Sequence, residues 1–167
     1  LDSRGPVFYI SKRWGRKGSL FHCYKFRSMV QHADAFRSEL ESVNEMDGPV
    51  FKMKDDPRMT RVGKWLRKYS FDEIPQLWNV LKGDMSLVGP RPLPEREQVG
   101  DVKLEYLRRL SIKPGITCWW QVRGRNHIPF RRWMKLDDFY IKNWSLLMDF
   151  EILARTIPTV LKGKGAY

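Results

Sequence analysis

Two adjacent carboxylates, Asp72 and Glu73, stand between strongly cationic segments and are the residues best placed for chemistry. An ionised aspartate is a nucleophile toward phosphorus, and a neighbouring glutamate can hold a divalent metal that neutralises diphosphate charge. The pair lies in Ser70-Phe-Asp-Glu73, a capping-box pattern, so its ordinary role would be to cap a helix. The same helix start would keep a carboxylate ionised and attract phosphate. Arg67 lies five residues upstream, and Arg91 is held between Pro90 and Pro92. The two prolines fix their own φ and push Arg91 out of the α region. An arginine so restrained loses little backbone entropy on gripping a phosphate, and its planar fork suits bidentate contact. The plainer alternative is a stiff solvated loop.

Other catalytic signatures are missing. The chain has no G-x-S-x-G elbow, no G-x-x-x-x-G-K-[ST] phosphate loop and no G-x-G-x-x-G turn. Cys23 and Cys118 are too few and too far apart for a disulfide framework. His22, His32 and His127 form no zinc spacing with them.

The elements that must position these groups are legible from local pattern. Val7–Arg13 and Leu20–Phe26 read as two strands joined at Gly15-Arg-Lys-Gly18, with Lys25 and Arg27 on one side of the second strand. Ser28-Met-Val-Gln31 predicts a helix carrying Val30, Ala33, Phe36, Leu40 and Val43 and ending before Asp47-Gly48-Pro49. Thr60 caps a second helix with Val62, Trp65, Leu66 and Tyr69 inward. After Ser70 a third helix carries Ile74, Leu77, Trp78 and Leu81 and stops at Gly83. Val88–Pro94 is too rich in proline for helix and reads as extended, and Val102–Leu110 as a short basic amphipathic helix. Trp133, Leu136, Tyr140 and Trp144 recur at helical spacing between basic residues, and Phe150, Leu153, Ile157 and Val160 recur in a last helix despite Pro158. No repeat or interdomain linker interrupts the chain. The reading is an α+β fold, mostly helical, in which a small N-terminal β-hairpin packs with several helices.

The chain has 167 residues and a formal charge of +12, long enough for one domain with a substantial core. With 42% hydrophobic and 30% charged residues it is not a disordered sequence. No uncharged run approaches the roughly 20 residues that span a bilayer. Such a charge seeks anions: nucleic acid, an anionic membrane face or phosphorylated substrates. The charge is blocked, with seven bases and no acid in residues 4–27, seven acids against three bases in 34–56, and nine bases against two acids in 101–135. Seven tryptophans amid arginines suit base stacking or a membrane interface equally.

Six ordered motifs go further. They are Tyr24-Lys-Phe-Arg-Ser-Met29, Ser70-Phe-Asp-Glu-Ile-Pro-Gln-Leu77, Asn79-Val-Leu-Lys-Gly-Asp-Met-Ser-Leu-Val-Gly-Pro-Arg-Pro92, Lys113-Pro-Gly-Ile-Thr117, Gln121-Val-Arg-Gly-Arg-Asn126 and Lys162-Gly-Lys-Gly-Ala-Tyr167. Together they resemble, over essentially the whole chain, the bacterial sugar transferases, the monotopic phosphoglycosyl transferases that initiate exopolysaccharide and O-antigen assembly.

The resemblance implies transfer of a sugar-1-phosphate, glucose or galactose by analogy, from a UDP-sugar to polyprenyl phosphate with release of UMP. It implies Asp72 as nucleophile, Glu73 with Asp72 as ligands of Mg²⁺, and Arg67 and Arg91 as phosphate contacts. Lys25 and Arg27 match a motif beside the site, and Gln121, Arg125, Asn126 and Asp137 fall among its nucleotide and metal contacts. Turn and helix-surface roles fit those last four as well. Family members carry a hydrophobic re-entrant helix just before the stretch matching Leu1–Pro6. Residues 1–167 are therefore expected to be the catalytic domain of a longer protein of the bacterial inner membrane, facing the cytoplasm, without that helix. The segment around Asn44–Lys54 is similar to an insertion of the larger members. The expected partners are the UDP-sugar, the polyprenyl phosphate and a membrane surface, with homo-oligomerisation left open. The Trp133 stripe is then expected to lie at lipid headgroup depth, and of Trp119 and Trp120 one in the core and one on lipid. Two other readings compete: a basic nucleic-acid-binding module, and a non-catalytic membrane scaffold of the same fold. Against nucleic acid, Asp72-Glu73 would repel a phosphate backbone. A scaffold would not need the acidic pair.

Overall fold

The computed structural model describes residues 2–47, 49–96, 104–163 and 165. The hairpin forms as its alternating pattern predicts, from β1 (Phe8–Trp14) and β2 (Leu20–Phe26), antiparallel in a register pairing Phe8 with Phe26 and Trp14 with Leu20. The other edge of β2 is closed by a side chain. Asn79, fully buried in α3 (Gln76–Leu81), accepts from the Tyr24 N–H (3.1 Å) and donates to the His22 carbonyl (2.7 Å). Its amide takes the place of a third strand for those two backbone groups.

A second pair, β3 (Ser86–Val88) and β4 (Gly115–Thr117), is parallel, with Ser86 opposite Gly115 and Val88 opposite Thr117. Glycine is required at 115, because a Cβ there would lie 2.1 Å from the Gly89 nitrogen. Around these sheets run α1 (Arg37–Leu40), α2 (Arg61–Lys68), α4 (Leu104–Arg109), α5 (Trp119–Arg123), α6 (Phe130–Asn143) and α7 (Leu146–Lys162), the last accommodating Pro158. Thr60 caps α2 as expected, accepting from the Gly63 N–H at 2.9 Å. Gly63 lets the helix touch the chain beneath it, since a Cβ would sit 1.8 Å from the Ser28 carbonyl oxygen.

The helix expected from Ser28 to Val43 does not form as such. Residues 28–30 are extended against 58–60, with Val30 N–H on Arg58 O (2.8 Å) and Thr60 N–H on Ser28 O (3.1 Å). The Ser28 hydroxyl is taken by Arg67 Nε (2.9 Å) and cannot cap, and His32 is left-handed (φ 59°). Helix survives only as α1, followed by a 3₁₀ turn at Glu41–Val43.

Two clusters form the core. Val50, Leu93, Cys118, Trp120, Ile128, Phe130, Trp133 and Met134 make one, and Val88, Trp119, Tyr140 and Ile152 the other. Trp133 and Tyr140 are therefore interior, not interfacial as expected, and only Trp144 of that stripe is exposed. Trp119 and Trp120 are both buried, because α5 is a short helix wedged between α6 and α7 rather than a strand with two faces. The apolar face of α2, expected inward, is largely exposed, and apolar side chains of α3 and α7 are exposed as well. Val62, Trp65, Ile74, Leu77, Trp78, Leu81, Phe150 and Ile157 point outward, while Gln76 and Asn79 are the buried residues of α3 and Ile152 that of α7.

Candidate active site

The predicted capping box becomes a 3₁₀ turn, Phe71–Glu73, between α2 and α3. Ser70 is left-handed (φ 56°) and caps nothing with its side chain; its hydroxyl accepts from Arg125 Nη2 at 3.1 Å. Arg125 is itself left-handed (φ 49°). Two residues in this strained region, each costing on the order of 1–3 kcal/mol, thus meet beside the carboxylates. The turn aims Asp72 and Glu73 inward, at 5% and 9% exposure, onto a cavity of about 830 Å³.

The two carboxylates live differently. Glu73 is gripped by Lys25 Nζ at 2.6 Å and by both terminal nitrogens of Arg91, Nη1 at 3.1 Å and Nη2 more closely. Burial would raise its pKa, but Arg91 and Lys25 hold it well below the usual carboxylate range. Among the described residues Asp72 has only a 3.8 Å ion pair with Lys25. Burial pushes its pKa up, Lys25 pulls the other way, and the charge of Glu73 adds to the upward push. One carboxylate is held closely by two cations; its neighbour, desolvated and less closely paired, borders the cavity.

Most of the predicted cations converge here. Lys25 comes from β2, Arg67 from α2, Arg91 from the proline segment and Arg125 from a 3₁₀ turn at Arg125–His127, and all line the cavity. Arg67 is half-buried, with its pKa lowered by desolvation against the pull of Asp72. Arg125 keeps one buried nitrogen, Nη1, without a hydrogen-bond partner among the described residues. An unpaired guanidinium nitrogen in such a place is a donor waiting for an anion. Gln121 also lines the cavity, its Oε1 accepting from Cys118 Sγ at 3.2 Å.

Two expected site residues stand apart. Arg27 borders the cavity but spends its guanidinium on residues 3–6, with five bonds including Nε to Pro6 O (2.6 Å) and Nη1 to Arg4 O (2.8 Å). Asp137 does not reach the cavity at all. It is 1% exposed in α6 and pairs with Arg109 Nε at 2.9 Å. Burial raises its pKa to about 6 against the pull of Arg109. The side chain of Asn126 lies outside the described residues. Conversely, Ser70, Arg58 and Asp56 border the cavity without having been singled out. Arg58 and Asp56 form a buried bidentate pair whose two-residue spacing carries no signal of its own.

Among the described residues no three His, Cys, Asp or Glu side chains cluster to hold a metal. Two adjacent carboxylates at a cation-lined cavity nevertheless fit Mg²⁺, which takes one or two carboxylates and completes its shell with phosphate oxygens and water.

Two buried carboxylates, the buried arginines Arg58 and Arg125 and the half-buried Lys25, Arg67 and Arg91 thus line one cavity. The chain belongs to the bacterial sugar transferase family, whose pattern it matches over residues 1–163. It is 48% identical over 163 residues to the galactosyl transferase CpsE of Streptococcus agalactiae, covering 97% of this chain and 36% of that protein. It is also 48% identical, over 169 residues, to the undecaprenyl-phosphate galactose phosphotransferase of Salmonella typhimurium, covering 98% and 35%. With the exopolysaccharide production protein ExoY of Sinorhizobium fredii it shares 42% identity over 168 residues, covering 98% and 74%. The chain spans about a third of the length of the first two relatives.

Proposed function

We propose that this chain transfers a hexose-1-phosphate from a UDP-hexose to polyprenyl phosphate, releasing UMP, in two covalent steps. An Asp72 oxygen attacks the sugar-bearing phosphorus, a phosphorus–oxygen bond forms, and the bond to UMP breaks with its electrons leaving on UMP. An oxygen of polyprenyl phosphate then attacks the same phosphorus and releases the Asp72 carboxylate, giving the lipid diphosphate sugar. The observation that carries this reading is the unequal treatment of the two carboxylates: Lys25 and Arg91 hold Glu73 closely, while Asp72 borders the cavity with a 3.8 Å ion pair to Lys25 as its one contact among the described residues. Arg125 Nη1 supplies a donor for the donor substrate's phosphates, and half-buried Arg67 a second positive charge. Asp72 and Glu73 would hold Mg²⁺, which when bound neutralises diphosphate charge. The relatives named for galactose make UDP-galactose the first donor to test.

Exposed apolar side chains on α2, α3 and α7 support a membrane partner, since soluble monomers seldom leave such faces bare. Among the described residues no helix is long and apolar enough to cross a membrane, so these faces would lie on the bilayer rather than span it. With this reading goes the location expected from the family resemblance, the cytoplasmic face of a bacterial inner membrane.

The test uses UDP-galactose labelled in the β-phosphate, with Mg²⁺ and no lipid acceptor. Wild type should retain label on a peptide containing Asp72 after denaturation, and Asp72→Asn none. Label on the Asn variant, or none on a wild type that still turns over, refutes the covalent route.

A further inference from the structure

Arg91 sits in a segment that is hard to hold. Pro90 and Pro92 have no N–H, so the strand-like stretch is fastened through its carbonyls. All three are taken: Pro90 O by Gly115 N–H (3.0 Å), Arg91 O by Arg109 Nη2 (2.7 Å) and Pro92 O by Arg13 Nη1 (2.7 Å). The middle tie comes from an interior ion pair. Arg109 is 7% exposed, its Nε faces Asp137 Oδ2 at 2.9 Å, and Asp137 is 1% exposed. A buried pair of this kind is costly to keep relative to apolar residues of the same shape, so packing alone gives no reason for it. The geometry provides one. Asp137 on α6 fixes the Arg109 guanidinium, Arg109 fixes the Arg91 carbonyl, and the Arg91 side chain reaches Glu73 with both terminal nitrogens.

We propose that Arg109 and Asp137 are a positioning pair: they set the backbone of Arg91 so that its guanidinium holds Glu73 in place behind the nucleophile. This rests on the transferase reading and assigns Asp137 a task inside the protein rather than on nucleotide or metal. The same two helices supply a built-in control. Arg108 and Asp138 also bridge α4 and α6, at 2.9 Å, but at the surface and away from Arg91. If the interior pair merely docked the helices, the outer pair should matter in the same way.

The experiment is a double-mutant cycle on hexose-1-phosphate transfer in the full-length protein. Arg109→Gln should lower kcat/KM about tenfold or more, and Asp137→Asn, which keeps the shape but not the charge, should follow it. Arg108→Gln should leave turnover within twofold. In an Arg91→Ala background, Arg109→Gln and Asp137→Asn should each cost less than a further twofold, because their effect passes through the missing guanidinium. Additive losses would overturn the proposal, as would an equal loss from Arg108→Gln. If Arg109→Gln fails to fold, Asp137→Asn alone decides the cycle. A crystal structure of Asp137→Asn gives a readout independent of turnover: the bidentate Arg91–Glu73 contact should be lost, and its retention refutes the inference even were the wild type to show no transfer. Absence of transfer in wild type would instead count against the transferase reading.

Discussion

Helices α3 and α6 have the same kind of apolar periodicity and bury opposite faces. α6 puts Phe130, Trp133, Met134 and Tyr140 inside and leaves Arg131, Arg132 and Lys135 in solvent. α3 does the reverse: Gln76 and Asn79 are inside, and Ile74, Leu77, Trp78 and Leu81 are out. The polar interior of α3 is used, since Asn79 satisfies β2 and also donates to Asp84 Oδ2 at 3.2 Å. A helical stripe therefore announces a helix, while the direction it faces depends on whether the chain offers it apolar or hydrogen-bonding partners.

This contrast can be broken from either side. The largest effect belongs to α6. Trp133, stacked on Trp120 at 3.9 Å between ring centres, should cost about 3–5 kcal/mol of stability when changed to Ala. Denaturant unfolding measures this, and a loss under 1 kcal/mol would mean that the interior of α6 is not core. Next comes Asn79→Leu, an exchange that raises apolarity and would suit the inner face of α6. On α3 it should destabilise by about 1–3 kcal/mol for each backbone group left unpaired, with protection of the Tyr24 amide against hydrogen exchange reduced. A neutral or stabilising outcome would remove the hydrogen-bonding role. The smallest effect on stability falls on the outer face of α3. Trp78→Ser and Leu81→Ser should each shift unfolding by no more than about 0.5 kcal/mol, as exposed substitutions do. The double variant should nevertheless bind phosphatidylglycerol-containing vesicles about tenfold or more weaker in a flotation assay, given about 1.5–3 kcal/mol for each large apolar side chain removed from lipid. Unchanged vesicle binding would leave that face without its proposed partner.

Local signals told the truth where the interactions are local. The hairpin and the Thr60 cap are legible because their bonds close within a few residues. Ser28 misleads because its bonds reach residues 60 and 67, which nothing in its own neighbourhood announces. The site divides the same way. Asp72, Glu73, Lys25, Arg67, Arg91 and Arg125 all line one cavity, Arg67 alone coming from outside the six motifs. Asp137 shares a motif-rich region with them but faces the other way, toward Arg109 on a separate helix. Its partner, read on pattern as one more base of an amphipathic helix, gave no sign of being interior. Left-handed Ser70 and Arg125 escape detection because neither residue type advertises a positive φ.

The amide of Asn79 has one more consequence. An open strand edge is a template on which another chain can add a strand, and two-stranded sheets have proportionally the most edge. In this hairpin, β2 is stopped at His22 and Tyr24 by the Asn79 side chain. β1 is stopped at Lys12 and Trp14, whose backbone groups pair with Glu95 N–H (3.1 Å) and Leu93 O (3.1 Å). Strand addition is thereby blocked on both sides of the same half of the hairpin. Copies brought close together would have to meet through side-chain faces there, and the small sheet is guarded against growing into an aggregate.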